Sequence, residues 1–243
     1  MNTLSDDNQR SELLGMQTPP IVSAEEWKAA SERLLVKEKA LTRARDALAA
    51  ERRRMPWLAV EKDYAFIGPE GNLGLLDLFD GRRQLIVYRA FMEPGVGRWP
   101  ERGCIGCSMV ADQVAHPAHL GARDTSLAFV SRGSQDDLQR LKAKMGWEHI
   151  PWYTLMDDFD ADFGVDEWHA TNAFIRDGKR VFRTYSTSGG RGDEQMGNTW
   201  NYLDLTALGR QESWEDSPEG YPQTPPYDCW VWHDTGETEP DRE

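Results

Sequence analysis

The chain has 243 residues, of which 39% are hydrophobic and 28% charged, and a formal net charge of -13. This length suits one hydrophobic core with extensions, and no apolar run approaches the roughly 18 residues of a membrane span, so we expect no membrane partner. The acidic charge repels phosphate backbones, which argues against nucleic acid as a partner. Function is therefore expected in a local site.

The first segment, residues 1–22, is polar and ends in Pro19-Pro20. It shows no clear period, and we interpret it as a flexible arm. It also lacks the basic-then-apolar order of a secretory signal. A cytoplasmic location is therefore expected.

A long helix is predicted over residues 23–55. Ser23 and Glu26 have the spacing of a capping box, and no Gly or Pro follows before Pro56. Apolar residues recur in this segment every seven positions, at Trp27, Leu34, Leu41, Leu48 and Met55. Such a narrow row either docks on its own domain or packs against a second copy to form a homodimer. Both interpretations stay open.

Residues 56–212 read as a globular domain. The run LIVY predicts a strand buried on both faces, and SLAFVS predicts a second one. Between them a helix begins at or just after Cys104, and after the second strand Ser134 begins another helix with a capping residue. Strand, helix, strand, helix implies parallel pairing through right-handed crossovers.

The last third of the chain has a different residue pattern. Asp177-Gly178 lies between two alternating, β-rich arms and predicts a hairpin with a tight turn. Residues 213–243 form a Pro-rich, acidic C-terminal extension. Parallel strands followed by an antiparallel hairpin predict an α/β fold with a mixed sheet and helices on both faces.

Two cysteines stand at the turn between the first strand and its helix. Cys104 and Cys107 are separated by Ile-Gly in RWPERGCIGCSMVADQ. Backbone N–H groups and the helix dipole stabilise an anion at such a turn, and can lower a thiol pKa from about 8.5 to roughly 3.5–7.5. Cys104 is then the nucleophile, and Cys107 resolves the mixed disulfide that Cys104 forms with a substrate. This spacing in this context is a redox signature.

Other interpretations of the cysteines remain. A zinc site would add His116 and His119, but these flank Pro117 and lie on the same short segment, which makes tetrahedral convergence poor. The sequence therefore predicts no metal and no cofactor. The pair could also be two core residues. We interpret the third cysteine, Cys229, as a packing residue, with a second resolving role left open.

Several segments together resemble one bacterial family. They include ERRRMPW, VEKDYAF, GCIGCS, LGARDTSLAFVSR, TYSTSGGRG and NYLDLTALGRQE. From about Ile21 to Asp234 the chain is similar to the thioredoxin-like family catalogued as domain of unknown function 899. The resemblance implies a thioredoxin-like fold and a dithiol-disulfide oxidoreductase with Cys104 and Cys107 as its redox pair. Its partners would be a disulfide-containing protein or small thiol substrate and a thiol reductant.

The resemblance also raises a peroxidase alternative. Peroxiredoxins have a proline, a threonine four residues on, and the peroxidatic cysteine three residues later. Pro100, Cys104 and Cys107 fall in that register, with a cysteine in place of the threonine. This alternative makes Cys107 the residue that peroxide oxidises and Cys104 the resolver.

Departures from both patterns keep the activity open. Thioredoxins place a cis-proline before the strand that faces the redox pair, whereas HATNAFIRDG contains no proline. The arginine that peroxiredoxins use near this point is replaced by Thr171-Asn172, and Arg176 or Arg183 would substitute only if their side chains turned toward the site. A third interpretation is a non-catalytic interaction protein on this fold, with the helix as its active surface.

Overall fold

Two compact units make up the chain. The computed structural model describes residues 16–165, 169–188 and 194–238. One unit combines Met1–Arg54 with Asn201–Asp228, and the other combines Met55–Trp200 with Cys229–Glu243. The domain limits placed after residues 22, 55 and 212 stay a prediction, and most of the predicted arm lies outside the described residues. Within the described ranges, no helix is long and apolar enough to cross a bilayer.

The first unit contains a 29-residue helix, α1 (Ala24–Arg52). Ser23 begins it, because its Oγ accepts the backbone N–H of Glu26 at 3.3 Å and the Glu26 carboxylate accepts the N–H of Ser23 at 3.0 Å. The predicted capping box is confirmed. No residue of α1 is buried, so its apolar row is exposed. Elsewhere in this unit, Arg210 pairs with Asp204 at 2.7 Å.

The second unit is built on an eight-stranded sheet. In chain order its strands are β1 (Leu58–Val60), β2 (Ala65–Gly68), β3 (Gly71–Gly74), β4 (Gln84–Arg89), β5 (Thr125–Ser131), β6 (Trp152–Leu155), β7 (Ala170–Asp177) and β8 (Arg180–Ser188). Their order across the sheet is β1-β8-β7-β4-β5-β6-β2-β3. Strands β4, β5 and β6 are parallel neighbours. The remaining pairings are antiparallel.

Short helices connect these strands. They are α2 (Ile105–Asp112), α3 (Ala118–Gly121), α4 (Gln135–Met145) and α5 (Phe159–Phe163), and α6 (Asn198–Leu203) follows β8. Ser134 caps α4 by accepting the N–H of Asp137 at 3.2 Å, as the sequence predicts. Asp177 pairs with Arg180, so Gly178 and Lys179 form the tight turn of the predicted hairpin. The mixed α/β sheet with helices and a long N-terminal helix is confirmed.

Both faces of the sheet are buried, which explains the unbroken apolar run of β4. Leu85 and Val87 pack on one face, and Tyr88 and Ala90 pack on the other, because side chains alternate along a strand. The first face is rich in phenylalanine, at Phe66, Phe79, Phe159, Phe163 and Phe174. The second face carries Phe129, Trp147, Trp152, Trp232 and Cys107. The predicted redox pair therefore borders the second face.

A buried arginine, Arg89, is the last residue of β4. The Arg89 guanidinium is almost fully buried and pairs with Asp160 at 2.7 Å and with Glu93 at 2.8 Å. Arg132 approaches the same Asp160 carboxylate at 3.0 Å. A buried cation is tolerated only with such partners, so this network holds the chain where it leaves the strand toward the cysteines.

Candidate functional site

The two cysteines lie where β4 passes into α2, as predicted. The connecting loop returns to the end of the strand, where the N–H of Cys104 donates to the carbonyl of Phe91 at 3.1 Å. The N–H of Phe91 in turn points at the sulfur of Cys107, 3.4 Å away. One loop residue therefore contacts both cysteines and fixes their position relative to the strand.

Cys104 is the N-cap residue of α2. Its Sγ accepts the backbone N–H of Cys107 at 3.3 Å, in the place where a serine or aspartate oxygen usually caps a helix. The residue is partly exposed. Anions are stabilised at a helix N-terminus by the free N–H groups and the dipole, so the position favours the thiolate form of Cys104 and leaves it within reach of a reactant.

Cys107 has a different environment. Its side chain is fully buried, at 0% exposure. Burial raises the pKa of its thiol well above the usual value, and the hydrogen bond to Cys104 and the charge of Cys104 raise it further. Hydrogen bonds from the Phe91 N–H and from the Tyr88 hydroxyl act in the opposite direction without reversing the shift. Cys107 is therefore held as a neutral thiol beside Cys104.

The C-terminal segment packs against this pair. We call residues 229–238 the C-terminal strap. The ring of Trp230 lies on Gly106, between the two cysteines: a Cβ built on Gly106 would be 2.4 Å from Cζ3 of that ring. Trp232 is buried in the core of the second face, at 1% exposure. The site is thus built from segments that are more than 120 residues apart in sequence.

Ion pairs and a cation–π contact hold the strap in place. Asp234 pairs with Arg102 at 2.8 Å and with Lys144 at 3.4 Å, and the Arg102 guanidinium lies 4.8 Å from the ring centre of Trp232. Burial alone would raise the pKa of the Asp234 carboxyl, but the hydrogen bonds from Arg102 and Lys144 lower it overall. Asp234 is therefore ionised at neutral pH.

Sequence reasoning missed the strap residues as part of the site. Trp230 and Trp232 stand two apart in CWVWHD, and this alternation in an otherwise polar tail was the available signal. Cys229, at the start of the strap, is exposed rather than packed in the core. Its interpretation as a packing residue is therefore wrong.

The other residues singled out from the sequence lie elsewhere. His116 and His119 are exposed, with ring centres 6.4 Å apart, and the His116 Nδ1 accepts the N–H of Ala118 at 3.2 Å. Among the described residues, no three His, Cys, Asp or Glu side chains converge in a group that could hold a metal. The zinc alternative therefore finds no assembled ligand set in this part of the chain.

The two arginines considered for the peroxidase alternative also point away. Arg176 donates to the carbonyls of Gly81 and Arg82, before the start of β4, at 2.6 Å each. Arg183 donates to the carbonyl of Phe163 at 2.9 Å. Cys104 follows the opposite end of β4, so the hydrogen bonds of neither arginine serve the cysteines.

A match to a family model shows which family the chain belongs to. The family described as "Bacterial protein of unknown function (DUF899)" matches residues 16–235. The chain belongs to this family. The resemblance inferred from the sequence is thereby confirmed for DUF899, and the match includes the cysteine pair and most of the strap. No curated protein matches this DUF899 chain.

Solved structures with a distant likeness to this DUF899 protein include a thiol:disulfide interchange protein and a peroxiredoxin. A thiol:disulfide interchange protein from Bacteroides sp. is 14% identical, with 66% of this chain and 96% of that chain covered and a TM-score of 0.41. Mycobacterium bovis AhpC is 13% identical, with coverages of 66% and 95% and a TM-score of 0.37. A Xanthomonas campestris peroxiredoxin Q variant is 13% identical, with coverages of 54% and 84% and a TM-score of 0.39. At this level of likeness, function has to be derived from the residues of the chain itself.

Proposed function

We propose that the protein is a thiol-disulfide oxidoreductase in which Cys104 attacks and Cys107 resolves. The observation that carries this proposal is the difference between the two environments. Cys104 is partly exposed and caps a helix, whereas Cys107 is buried and has a raised pKa. A thiol reacts as its thiolate, so this asymmetry supports the order of attack that thioredoxin-like chemistry requires.

The first step is attack on a substrate disulfide. The Cys104 thiolate forms a bond to one substrate sulfur, the substrate S–S bond breaks, and the other substrate sulfur leaves as a thiolate. The backbone N–H of Cys107 and the dipole of α2 stabilise the attacking thiolate. The product of this step is a mixed disulfide on Cys104.

The second step removes the substrate. In the mixed disulfide Cys104 carries no charge, so both effects of Cys104 that raise the pKa of Cys107 disappear, while the Phe91 N–H and the Tyr88 hydroxyl still favour its thiolate. Cys107 then loses its proton to the departing thiolate or to water and attacks the sulfur of Cys104. The Cys104–Cys107 disulfide forms and the second substrate thiol leaves. Two electrons pass to the substrate, and an external thiol reductant restores the pair.

The test uses single cysteine variants and a disulfide substrate. With bis(2-hydroxyethyl) disulfide, Cys107→Ser should accumulate a mixed disulfide on Cys104, and Cys104→Ser should form none on Cys107, as read by mass spectrometry of the cysteine-containing peptides. The control Cys229→Ser should turn over like the unmodified chain. Absence of any adduct and of turnover in all of these proteins would refute the proposal.

The same variants separate this function from the peroxidase alternative. A peroxidase with Cys107 as its peroxidatic residue would give a sulfenic acid on Cys107 in Cys104→Ser treated with hydrogen peroxide. The fully buried Cys107 and its raised pKa speak against that order. Dimedone labelling confined to Cys107 would overturn the assignment of Cys104 as the attacking residue.

A further inference from the structure

Trp230 lies over Gly106, two residues after the attacking cysteine. A Cβ on Gly106 would lie 2.4, 2.8 and 3.2 Å from three carbons of the Trp230 ring. Real Cβ contacts below 3.0 Å are essentially never seen, so the ring can lie this close only because residue 106 has no side chain. The six-membered ring therefore rests on the first turn of α2.

The ring is held there by the rest of the strap. Trp232 is buried in the core, and Asp234 pairs with Arg102 and Lys144. His233 adds a contact to Asp112, the last residue of α2, with 2.8 Å between Nδ1 and Oδ1. These contacts follow Trp230 within four residues. The strap is therefore anchored, and its tryptophan is a fixed part of the site.

A protein disulfide needs more space around Cys104 than a small disulfide does. In a disulfide the two Cα atoms are usually about 4.4–6.8 Å apart, so a substrate cysteine bonded to Cys104 would bring its own backbone within about 7 Å of the Cys104 Cα. The backbone N–H of Cys104 is hydrogen-bonded to the carbonyl of Phe91, and the Trp230 ring lies over Gly106 in the first turn of α2. A small disulfide has no such backbone and needs less space beside the ring.

We propose that Trp230 selects low-molecular-weight disulfides and excludes protein disulfides from Cys104. This inference rests on the proposed function and names its substrate class. Steric exclusion of the wrong substrate is a common source of specificity. Trp230 is a specificity-determining residue here and takes no part in the electron transfer.

The experiment compares kcat/KM for bis(2-hydroxyethyl) disulfide and for insulin, each in the unmodified chain and in Trp230→Ala. The unmodified chain should reduce the small disulfide in preference to insulin. Trp230→Ala should raise the insulin-to-small-disulfide ratio by about tenfold or more. The matched control, Trp57→Ala, removes a tryptophan that precedes β1, and should leave the ratio unchanged.

Failures of the two proposals are distinguishable. Turnover of neither substrate by any of the proteins would refute the proposed function. Turnover with an unchanged ratio in a folded Trp230→Ala, or preference for insulin in the unmodified chain, would refute the role of Trp230. If Trp230→Ala does not fold, Trp230→Phe should shift the ratio in the same direction to a smaller extent, and an unchanged ratio in that variant overturns the inference.

A separate observation concerns α1, whose apolar row is exposed along its length. The exposed fractions are 66% for Trp27, 56% for Leu34, 53% for Leu41 and 48% for Leu48. A helix of 29 residues is about 44 Å long, and residues seven apart lie on one side of it. The row therefore forms a narrow apolar stripe that a matching helix could cover.

The charges within the stripe indicate which helix fits. The second apolar position of each heptad holds Ala30, Lys37, Ala44 and Glu51. Parallel pairing in register would place Lys37 on Lys37 and Glu51 on Glu51. Residues 43–54 also contain five arginines against two acidic residues, and parallel pairing would align these basic ends. Like charges in contact are destabilising, so the pattern opposes a parallel pair.

An antiparallel pair avoids these contacts. It sets Leu34 of one copy against Ala44 of the other and Leu48 against Ala30, so that large residues meet small ones in these layers, and it sets Trp27 beside Glu51 at each end. Lys37 then lies beside the apolar Leu41 of the other copy, where its long stem can pack while its charge reaches water. We propose that α1 pairs with α1 of a second copy as an antiparallel coiled coil.

The mass of the full chain in solution tests this proposal. Multi-angle light scattering should give twice the 27.7 kDa of one chain. Leu41→Glu, in the stripe, should give a single-chain mass, and the control Val36→Glu, which replaces an exposed apolar residue of α1 outside the stripe, should remain dimeric. A single-chain mass for the unmodified protein, or a dimer that survives Leu41→Glu, would refute the proposal.

Crosslinking tests the direction of the pair. In a background with the native cysteines replaced by serine, Leu34→Cys chains should form disulfides with Ala44→Cys chains when the two are mixed. Leu34→Cys alone should form few disulfides. The opposite result would show a parallel pair and overturn the antiparallel arrangement.

Discussion

Replacing Gly106 by alanine tests the contact between the strap and α2. Gly106 is the second residue of α2, and in a helix interior alanine is more stable than glycine by about 1 kcal/mol. The new methyl group would lie 2.4 Å from Cζ3 of Trp230, too close to be accommodated without movement. Overpacking of this kind costs about 1–3 kcal/mol. We therefore expect Gly106→Ala to lower the free energy of unfolding by up to about 2 kcal/mol.

The same substitution should have the opposite effect on the free energy of unfolding when the Trp230 ring is absent. In a Trp230→Ala background, Gly106→Ala should stabilise the protein by up to about 1 kcal/mol, because only the gain in helix propensity remains. Urea unfolding of the four proteins measures the difference, provided that the m value is unchanged. If Gly106→Ala has the same effect in both backgrounds, the side chains at positions 106 and 230 are not in contact, and Trp230 does not select the substrate.

Three further predictions concern the cysteines and the fold. Iodoacetamide mapped by mass spectrometry should modify Cys104 at lower pH than Cys107, because the buried Cys107 has a raised pKa and reacts only as its thiolate; earlier modification of Cys107 would contradict this order. Arg89→Met should lower the free energy of unfolding by about 3–5 kcal/mol, since it leaves the partly buried carboxylate of Asp160 without its main partner, and a loss below about 1 kcal/mol in urea unfolding would contradict it. Ser134→Ala should cost about 1 kcal/mol through loss of the α4 cap, with Ser134→Thr retaining most of the stability.

Local patterns made much of the fold predictable. The capping residues Ser23 and Ser134, the apolar run of β4 and the Asp177-Gly178 turn all act through neighbours a few residues away, and each forms the element expected of it. The position of Cys104 at a strand-to-helix turn was predictable for the same reason.

The limits of helices were less predictable than their existence. The sequence predicts α1 as far as residue 55, the last position before Pro56, whereas it ends at Arg52. The exposure of its apolar row was also undecided, because an apolar period has the same form whether the row meets its own domain or another chain. Exposure depends on which other parts of the molecule pack against the helix. The spacing of residues within one segment carries no information about those parts.

The sequence by itself determined that two cysteines, with two residues between them, lie at the start of a helix, since that follows from local hydrogen bonding and strand propensity. Only the tertiary structure decided which of them is exposed and which is buried. It also decided that Trp230 covers Gly106 and that Arg176 turns away to the other end of β4. Burial and contact between residues far apart in the chain arise from the packing of the whole unit. The chemical environment of the two cysteines therefore depends on contacts that the local sequence does not reveal.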